Sequence, residues 1–217
     1  MIRTDRAPRP GPHPVLVIVL LVTLSFVRAG AVIVAPSAAD MQRAMKLAGE
    51  PEASRARFHA PYVTPIKNSI IRDIEVLTEF RRTVIATEDA LKRGDWAVAH
   101  GASSLGGRTI ADVVAPWRRI VTIVANLQLP AMHSYVSIPR CDVTVGGTPI
   151  LAPVDRRTTQ RSSLPYSSRG TTLTSLVGAT IEVDFDAGPV GETSRSAVVT
   201  CDGKGVASAV IDFDRLP

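Results

Sequence analysis

The chain has 217 residues, of which 45% are hydrophobic and 21% are charged, and this composition is that of a globular protein. Two cysteines are too few for a disulfide-dense scaffold or for a zinc site built on four cysteines. The net charge of +5 is uneven, because residues 1–31 carry four arginines against one aspartate and contribute +3. The other 186 residues carry only +2, which is too little for a nucleic-acid-binding surface.

Residues 1–31 have the layout of a secretory signal peptide. A basic, proline-rich start is followed by Val15–Val27, thirteen residues that are almost wholly apolar. Small residues suited to cleavage follow at two places, which end at Ala31 and Ala39. We therefore expect a periplasmic or extracellular protein whose leader is removed. The alternative is an uncleaved membrane anchor over residues 15–35, which would be the chain's one contact with a membrane.

Residues 38–117 show helical patterns and are predicted to form a small helical region. The main helix is expected to begin after a cap at Thr64-Pro65 and to end at Gly94. Between these points, apolar residues recur at steps of mostly three, four or seven. Shorter helices are predicted at three places: Ala38–Leu47, the residues after Asp95, and Thr109–Ala115.

From residue 118 the pattern changes to an alternation of period two, which predicts antiparallel strands. Thr180–Asp186 is the clearest, and Asp155–Gly170 is predicted to be a loop. The other predicted strands are Ile120–Leu129 (which would also suit a buried helix), Tyr135–Ile138, Cys141–Val145, Thr148–Val154, Arg195–Cys201 and Val206–Asp214. Residues 118–217 are therefore expected to form an antiparallel β-sandwich, and the chain as a whole an α+β fold.

Two segments of the β region show a family resemblance. Gly178–Phe185 (GATIEVDF) and Val198–Ala207 (VVTCDGKGVA) resemble the closing strands of bacterial immunoglobulin-like repeats of the invasin type. The resemblance covers residues 178–214, and the chain departs from the repeats by lacking a second copy and by carrying cysteines. It implies an immunoglobulin-like sandwich and no particular function, because such sandwiches host many functions.

Cys141 and Cys201 lie sixty residues apart, both in the β region. Exported proteins meet an oxidising compartment, so we expect a disulfide between them. The alternative is two buried thiols that are too far apart to bond. Neither cysteine lies beside a histidine-bearing motif, which argues against a catalytic thiol.

Acidic residues end two of the predicted strands. If these strand ends are adjacent, four carboxylates would offer oxygen ligands to calcium: Asp184, Asp186, Asp212 and Asp214. The simpler interpretation is the solvated face of a half-buried strand, and it is the one we favour. No other cofactor is predicted.

The expected function is that of a non-catalytic envelope or extracellular protein that binds a macromolecule or an envelope polymer. The candidate binding residues lie in the predicted loop after residue 154: Arg156, Arg157, Arg161 and Tyr166. Arginine and tyrosine dominate binding hot spots, and a positive loop would attract an acidic partner.

The alternative function is that of a secreted hydrolase. None of the four histidines shows the spacing typical of a metal site, and no linear motif identifies a nucleophile. The catalytic residues would therefore meet only in the folded chain, at the junction of the helical and β regions. They would be His59 or His100, a carboxylate, and Ser103.

Overall fold

The computed structural model describes residues 33–67, 69–99, 107–129, 138–147, 150–163, 166–168, 171–190 and 194–216. The predicted leader over residues 1–31 lies outside these ranges, and so do His100 and Ser103. Within the described ranges, no helix is both long enough and apolar enough to cross a membrane.

The described residues form five α-helices: α1 (Ala38–Ala48), α2 (Glu52–His59), α3 (Glu79–Lys92), α4 (Trp96–Ala99) and α5 (Ile110–Val114). Three of them begin at a hydroxyl cap, because the side chains of Ser37, Thr78 and Thr109 accept hydrogen bonds from backbone N–H groups of the first turn. Gly94 follows α3 with a φ of 78°, so it ends this helix as predicted. The three shorter predicted helices are confirmed as α1, α4 and α5.

The described strands are β1 (Val63–Pro65), β2 (Ile71–Leu77), β3 (Ile120–Gln128), β4 (Cys141–Val145), β5 (Pro153–Ser162), β6 (Tyr166–Ser168), β7 (Thr171–Leu173), β8 (Leu176–Asp186), β9 (Ser194–Cys201) and β10 (Lys204–Asp212). One sheet has five strands in the order β1-β2-β3-β8-β5, and another has three in the order β10-β9-β4. Strands β6 and β7, which come between β5 and β8 in the sequence, pair with each other. All pairs are antiparallel, so the fold is α+β as expected.

The two larger sheets bury one shared apolar core. Side chains alternate between the two faces of a strand, so every second residue points inward. The core includes Ile123 of β3, Ile181 and Phe185 of β8, and Val199 of β9. The helices α1 and α3 bury a separate, smaller cluster of Ala44, Ala48, Phe80 and Val84.

The predicted disulfide is present. Cys141 of β4 and Cys201 of β9 lie directly opposite each other in the three-stranded sheet, and their sulfur atoms are bonded. The predicted hairpin between β9 and β10 is also confirmed. Its turn residues Asp202 and Gly203 both have positive φ, at 49° and 76°, as a two-residue hairpin turn requires.

The prediction of one long helix after Thr64-Pro65 is wrong in its first half. Thr64-Pro65 lies in β1, Ile71–Leu77 forms β2, and the helix begins only at Glu79. A β-bulge near Ile71 shifts the alternation of β2, so that its buried isoleucines stand three residues apart. This spacing imitates one turn of a helix, and only the pairing of β2 with β3 distinguishes the two.

The prediction of a loop over Asp155–Gly170 is also wrong, because Pro153–Ser162 forms β5 and Tyr166–Ser168 forms β6. Nearly every β5 side chain is exposed, so the strand lacks the alternation of apolar and polar residues that a half-buried strand shows. Three predicted strands are confirmed besides the last hairpin: Ile120–Leu129, Cys141–Val145 and Thr180–Asp186. Residues 135–137 and 148–149 of two further predicted strands lie outside the described part of the chain.

Candidate functional site

Three of the four predicted binding residues lie on strand β5, which is one edge of the five-stranded sheet. Tyr166, the fourth, begins β6. Alternate residues of a strand face opposite sides, so Arg157 and Arg161 share the outer face of the sheet. Arg156 lies on the other face and forms an ion pair with Asp142 of β4. The three arginines therefore do not form one positive patch.

Arg157 is held by carboxylates of its own sheet. Its guanidinium donates from Nη1 to Asp184 Oδ2 at 2.8 Å and from Nη2 to Asp184 Oδ1 at 3.0 Å. Its Nε donates to Glu182 Oε2 at 3.2 Å, and Nη1 also lies 2.8 Å from Asp155 Oδ2. The hydrogen bonds to Asp184 are the main reason that the pKa of Arg157 is raised. Its charge is therefore neutralised within the fold.

Arg161 crosses the neighbouring strand β8. Its Nη2 donates to the carbonyl oxygen of Leu127 on β3 at 3.0 Å. Gly178 makes this crossing possible, because a Cβ there would lie 2.5 Å from the Leu127 oxygen and 3.0 Å from Arg161 Nη2. Among the described residues, no carboxylate pairs with Arg161, in contrast to Arg156 and Arg157.

A buried polar chain connects Asp184 to helix α3. The Thr122 hydroxyl donates to Asp184 Oδ1 at 2.5 Å and accepts from Arg82 Nη2 at 2.6 Å. Thr122 is fully buried and Asp184 is nearly so. Burial lowers the pKa of Arg82 to about 10, although the nearby Asp184 and Glu182 oppose this change. Arg82 is therefore still charged at neutral pH.

Arg81 joins α3 to the same sheet at a second point. Its Nη1 donates to the Val76 carbonyl and its Nη2 to Glu75 Oε1, both at 2.5 Å. Its guanidinium also lies 4.7 Å from the centre of the Tyr62 ring. Burial lowers the pKa of Arg81 and raises that of Tyr62. This cluster docks the helix on the sheet.

The four aspartates considered as calcium ligands are separated by the fold. Asp184 and Asp186 lie in the five-stranded sheet, whereas Asp212 ends β10 in the other sheet and Asp214 lies in the 3₁₀ turn that follows β10. Asp184 is occupied by Arg157, and Asp212 lies 2.9 Å from Arg215 Nε. In the ranges that the structure describes, no three histidine, cysteine or acidic side chains are placed to hold a metal ion.

Of the two histidines in the hydrolase hypothesis, the structure describes His59. Its ring lies between the carboxylate of Glu88 and the guanidinium of Arg81. Its Nε2 lies 3.2 Å from Glu88 Oε1, and Arg81 Nε donates to its Nδ1 at 3.4 Å. Arg55 also pairs with Glu88, at 3.3 Å. Because both ring nitrogens are engaged, neither is directed at a substrate hydroxyl, as a general base requires.

A cleft that the sequence analysis missed lies between α3 and the segment of α5 and Trp117. It encloses about 660 Å³ and has apolar walls that include Ile85 and Val114. Trp117 forms one side, and the Arg82 guanidinium lies 4.4 Å from the centre of its ring. The cleft could not be predicted from a local pattern, because its walls come from residues far apart in the sequence. One feature could have indicated it: Ile85 is apolar but does not lie on the face of α3 that packs on α1.

No protein-family model, curated protein or solved structure matches the chain. The candidate sites therefore come from the geometry of the described residues alone, and there are two of them. The edge of β5 offers exposed backbone and suits another polypeptide. The cleft is concave and largely apolar, and it suits a small molecule.

Proposed function

We propose that the protein is an exported, non-catalytic binding module of the cell envelope or extracellular space. The signal-like sequence of residues 1–31 and the Cys141–Cys201 disulfide support export. The engagement of both His59 ring nitrogens weakens the hydrolase alternative in the form that uses His59 as the base. The small charge of the chain after residue 31 argues for a protein or polymer partner rather than a nucleic acid.

The sandwich is proposed to be immunoglobulin-like. The strand order β2-β3-β8-β5 corresponds to strands A, B, E and D of a constant-type immunoglobulin domain, and β10-β9-β4 corresponds to G, F and C. Helices α3, α4 and α5 would then be an insertion between the first two strands. The disulfide differs from that of antibody domains, because it joins neighbouring strands of one sheet.

The proposal rests on the exposed edge strand β5. It is ten residues long, pairs with β8 on one side, and has no described strand on the other. Val154 is 63% exposed, so the strand is not covered by the second sheet at this point. An exposed edge strand can bind an extended segment of another protein, since its free N–H and C=O groups can continue the sheet. We propose that β5 binds an extended segment of another exported protein in this way.

The side chains of β5 would select the partner. Arg161 has no described carboxylate partner and is suited to an acidic residue of the bound segment. Arg157 is already occupied by Asp184, so it would stiffen the strand rather than contact the partner. Strand β10 is also a sheet edge, but the Ser69 hydroxyl already donates to its Val206 carbonyl at 2.7 Å.

The proposed site is tested by photo-crosslinking in cells that export the protein. A photoreactive amino acid is placed at Gln160 on β5, or at Val210 on the β10 edge as the matched control, since both side chains are exposed. We expect a discrete protein adduct from Gln160 and none from Val210. Arg161→Ala should reduce the adduct, because it removes the charge proposed to bind an acidic residue of the partner. Tyr166→Ala should leave it unchanged, because Tyr166 lies in β6 and not on the β5 edge. No adduct, or the same adducts from both positions, would refute the proposal.

Export is tested by the intact mass of protein recovered outside the cytoplasm. Cleavage after Ala31 is expected rather than after Ala39, because Ile33 and Val34 pack against the core clusters and Ser37 caps α1. Cleavage after Ala39 would remove all three residues. A full-length mass in a membrane fraction would establish the anchor over residues 15–35 instead.

A further inference from the structure

The cleft between α3 and α5 combines an apolar interior with positive charge. Its apolar lining comes from both helices and includes Ile85, Val113 and Val114. A volume of about 660 Å³ lies within the range of small-molecule sites. Val113 is 39% exposed, so apolar surface extends to the mouth of the cleft. A ligand that fills the cleft must therefore be largely apolar.

Three arginines line the same cleft: Arg82, Arg93 and Arg108. No described carboxylate pairs with any of them within 4.0 Å, in contrast to the paired Arg81 and Arg157. Two acids, Asp89 and Asp95, also line the cleft, and Asp89 lies 3.4 Å from Lys92 Nζ. The arginines therefore outnumber the acids, and an anion is favoured over a cation.

Arg82 is the most constrained of these arginines. Its Nη2 is bound to Thr122, its guanidinium stacks on Trp117, and its buried Nε has no hydrogen-bond partner. A partly buried cation with an unsatisfied donor is costly, and a nearby anion reduces that cost. Burial lowers its pKa only to about 10, so it offers a full positive charge at neutral pH.

We propose that this cleft binds a single-chain amphipathic anion, with the apolar chain between α3 and α5 and a terminal carboxylate beside the arginines. A free inorganic anion would leave the apolar walls exposed to water, and an uncharged chain would leave the arginines unpaired. The site is distinct from the β5 edge, so this proposal stands or falls independently of the proposed function.

The probe is dodecanoate, with dodecanol as the uncharged analogue of equal chain length. In a Trp96→Phe background, Trp117 is the only tryptophan left, and its fluorescence reports directly on the cleft. We expect a saturable change with one dodecanoate bound per chain, and about tenfold weaker binding of dodecanol, since the alcohol loses the charge-assisted contacts. Comparing the affinity of dodecyl phosphate with that of dodecanoate shows whether the site prefers a phosphate or a carboxylate.

Variants assign the binding to the cleft. Arg108→Met, on the exposed rim, should weaken dodecanoate about tenfold and leave dodecanol unchanged. Arg215→Met removes another exposed arginine, one that does not line the cleft, and it should change neither. Ala86→Leu narrows the cleft and should weaken both ligands, with circular dichroism confirming that the variant is folded.

Three results would overturn the proposal. The first is the absence of saturable dodecanoate binding. The second is equal affinity for dodecanoate and dodecanol that Arg108→Met does not alter. The third is tight binding of dodecyl phosphate without binding of dodecanoate, which would make the cleft a phosphate site.

Discussion

The sheets and the helices of this protein are stabilised in different ways. The two large sheets meet through one apolar core, and a disulfide joins β4 to β9. The helices bury two smaller apolar clusters of their own, and α3 reaches the five-stranded sheet through the side chains of Arg81 and Arg82. Apolar side chains are stabilised by burial in many relative orientations, whereas a buried arginine is stable only when specific acceptors bind its N–H groups. We therefore expect the helical part to be the less stable of the two.

Tryptophan fluorescence distinguishes the two parts experimentally. The chain has two tryptophans, and both lie among the helices: Trp96 begins α4 and Trp117 follows α5. Fluorescence therefore follows the helices alone, while far-ultraviolet circular dichroism follows helices and sheets together. Unfolding transitions measured by the two signals show whether helices and sheets unfold together.

The largest effect is expected from loss of the disulfide. The double variant Cys141→Ala, Cys201→Ala should lower the free energy of unfolding by about 2–4 kcal/mol, because the unfolded chain loses a crosslink that closes a long loop. The melting temperature should fall by several degrees in both signals, since the helices dock on the sheets. Reduced wild-type protein is the control and should behave like the double variant. Unchanged melting on reduction would contradict this account.

Five of the ten described strands, β3, β4, β8, β9 and β10, could be predicted from the sequence, because the side chains that they bury are apolar. The alternation of Ile181, Val183 and Phe185 specifies which face of β8 is buried, and the cysteines agree with export. The same alternation does not indicate what the polar face of β8 contacts. Nothing in the sequence near Asp184 shows that Arg157 and Thr122 will bind it, because these contacts join residues far apart in the chain.

The candidate sites were hidden for two physical reasons. Strand β5 is exposed on both faces, so its arginines resemble those of a loop. The cleft exists only where α3 meets α5, and a helix pattern alone does not say which neighbour covers each apolar position. The bulge in β2 adds a third difficulty, because it makes a strand resemble a helix turn.

A smaller effect is expected from Arg81→Met, which keeps the apolar stem of the side chain and removes its charge. The Val76 carbonyl and Glu75 lose their donor, so the free energy of unfolding should fall by about 1–3 kcal/mol. Because this residue docks α3 on the sheet, the fluorescence midpoint in urea should fall below the circular dichroism midpoint. Arg57→Met, an exposed arginine bonded only within α2, is the control. Coincident midpoints in Arg81→Met would show that the polar contacts do not couple the two parts.

The smallest of these effects is expected at the start of the helical part. The Ser37 side chain accepts from the Asp40 backbone N–H, and the Asp40 carboxylate accepts from the Ser37 hydroxyl and N–H. Ser37→Ala should lower the free energy of unfolding by about 1 kcal/mol at neutral pH, measured by the urea dependence of tryptophan fluorescence. Thr109→Ala removes the equivalent cap of α5 and should have a similar effect.

The dependence of this effect on pH identifies its cause. The hydrogen bonds from the Ser37 side chain and backbone hold the pKa of Asp40 below its ordinary value. A carboxylate whose pKa is lower in the folded state stabilises the fold above its ordinary pKa, and this contribution disappears as the pH falls through the folded value. The difference between wild type and Ser37→Ala should therefore shrink as the pH falls below about 4. If Ser37→Ala loses as much stability at pH 3 as at pH 7, the hydroxyl acts through its bond to the Asp40 backbone N–H alone, and its bond to the Asp40 carboxylate adds nothing.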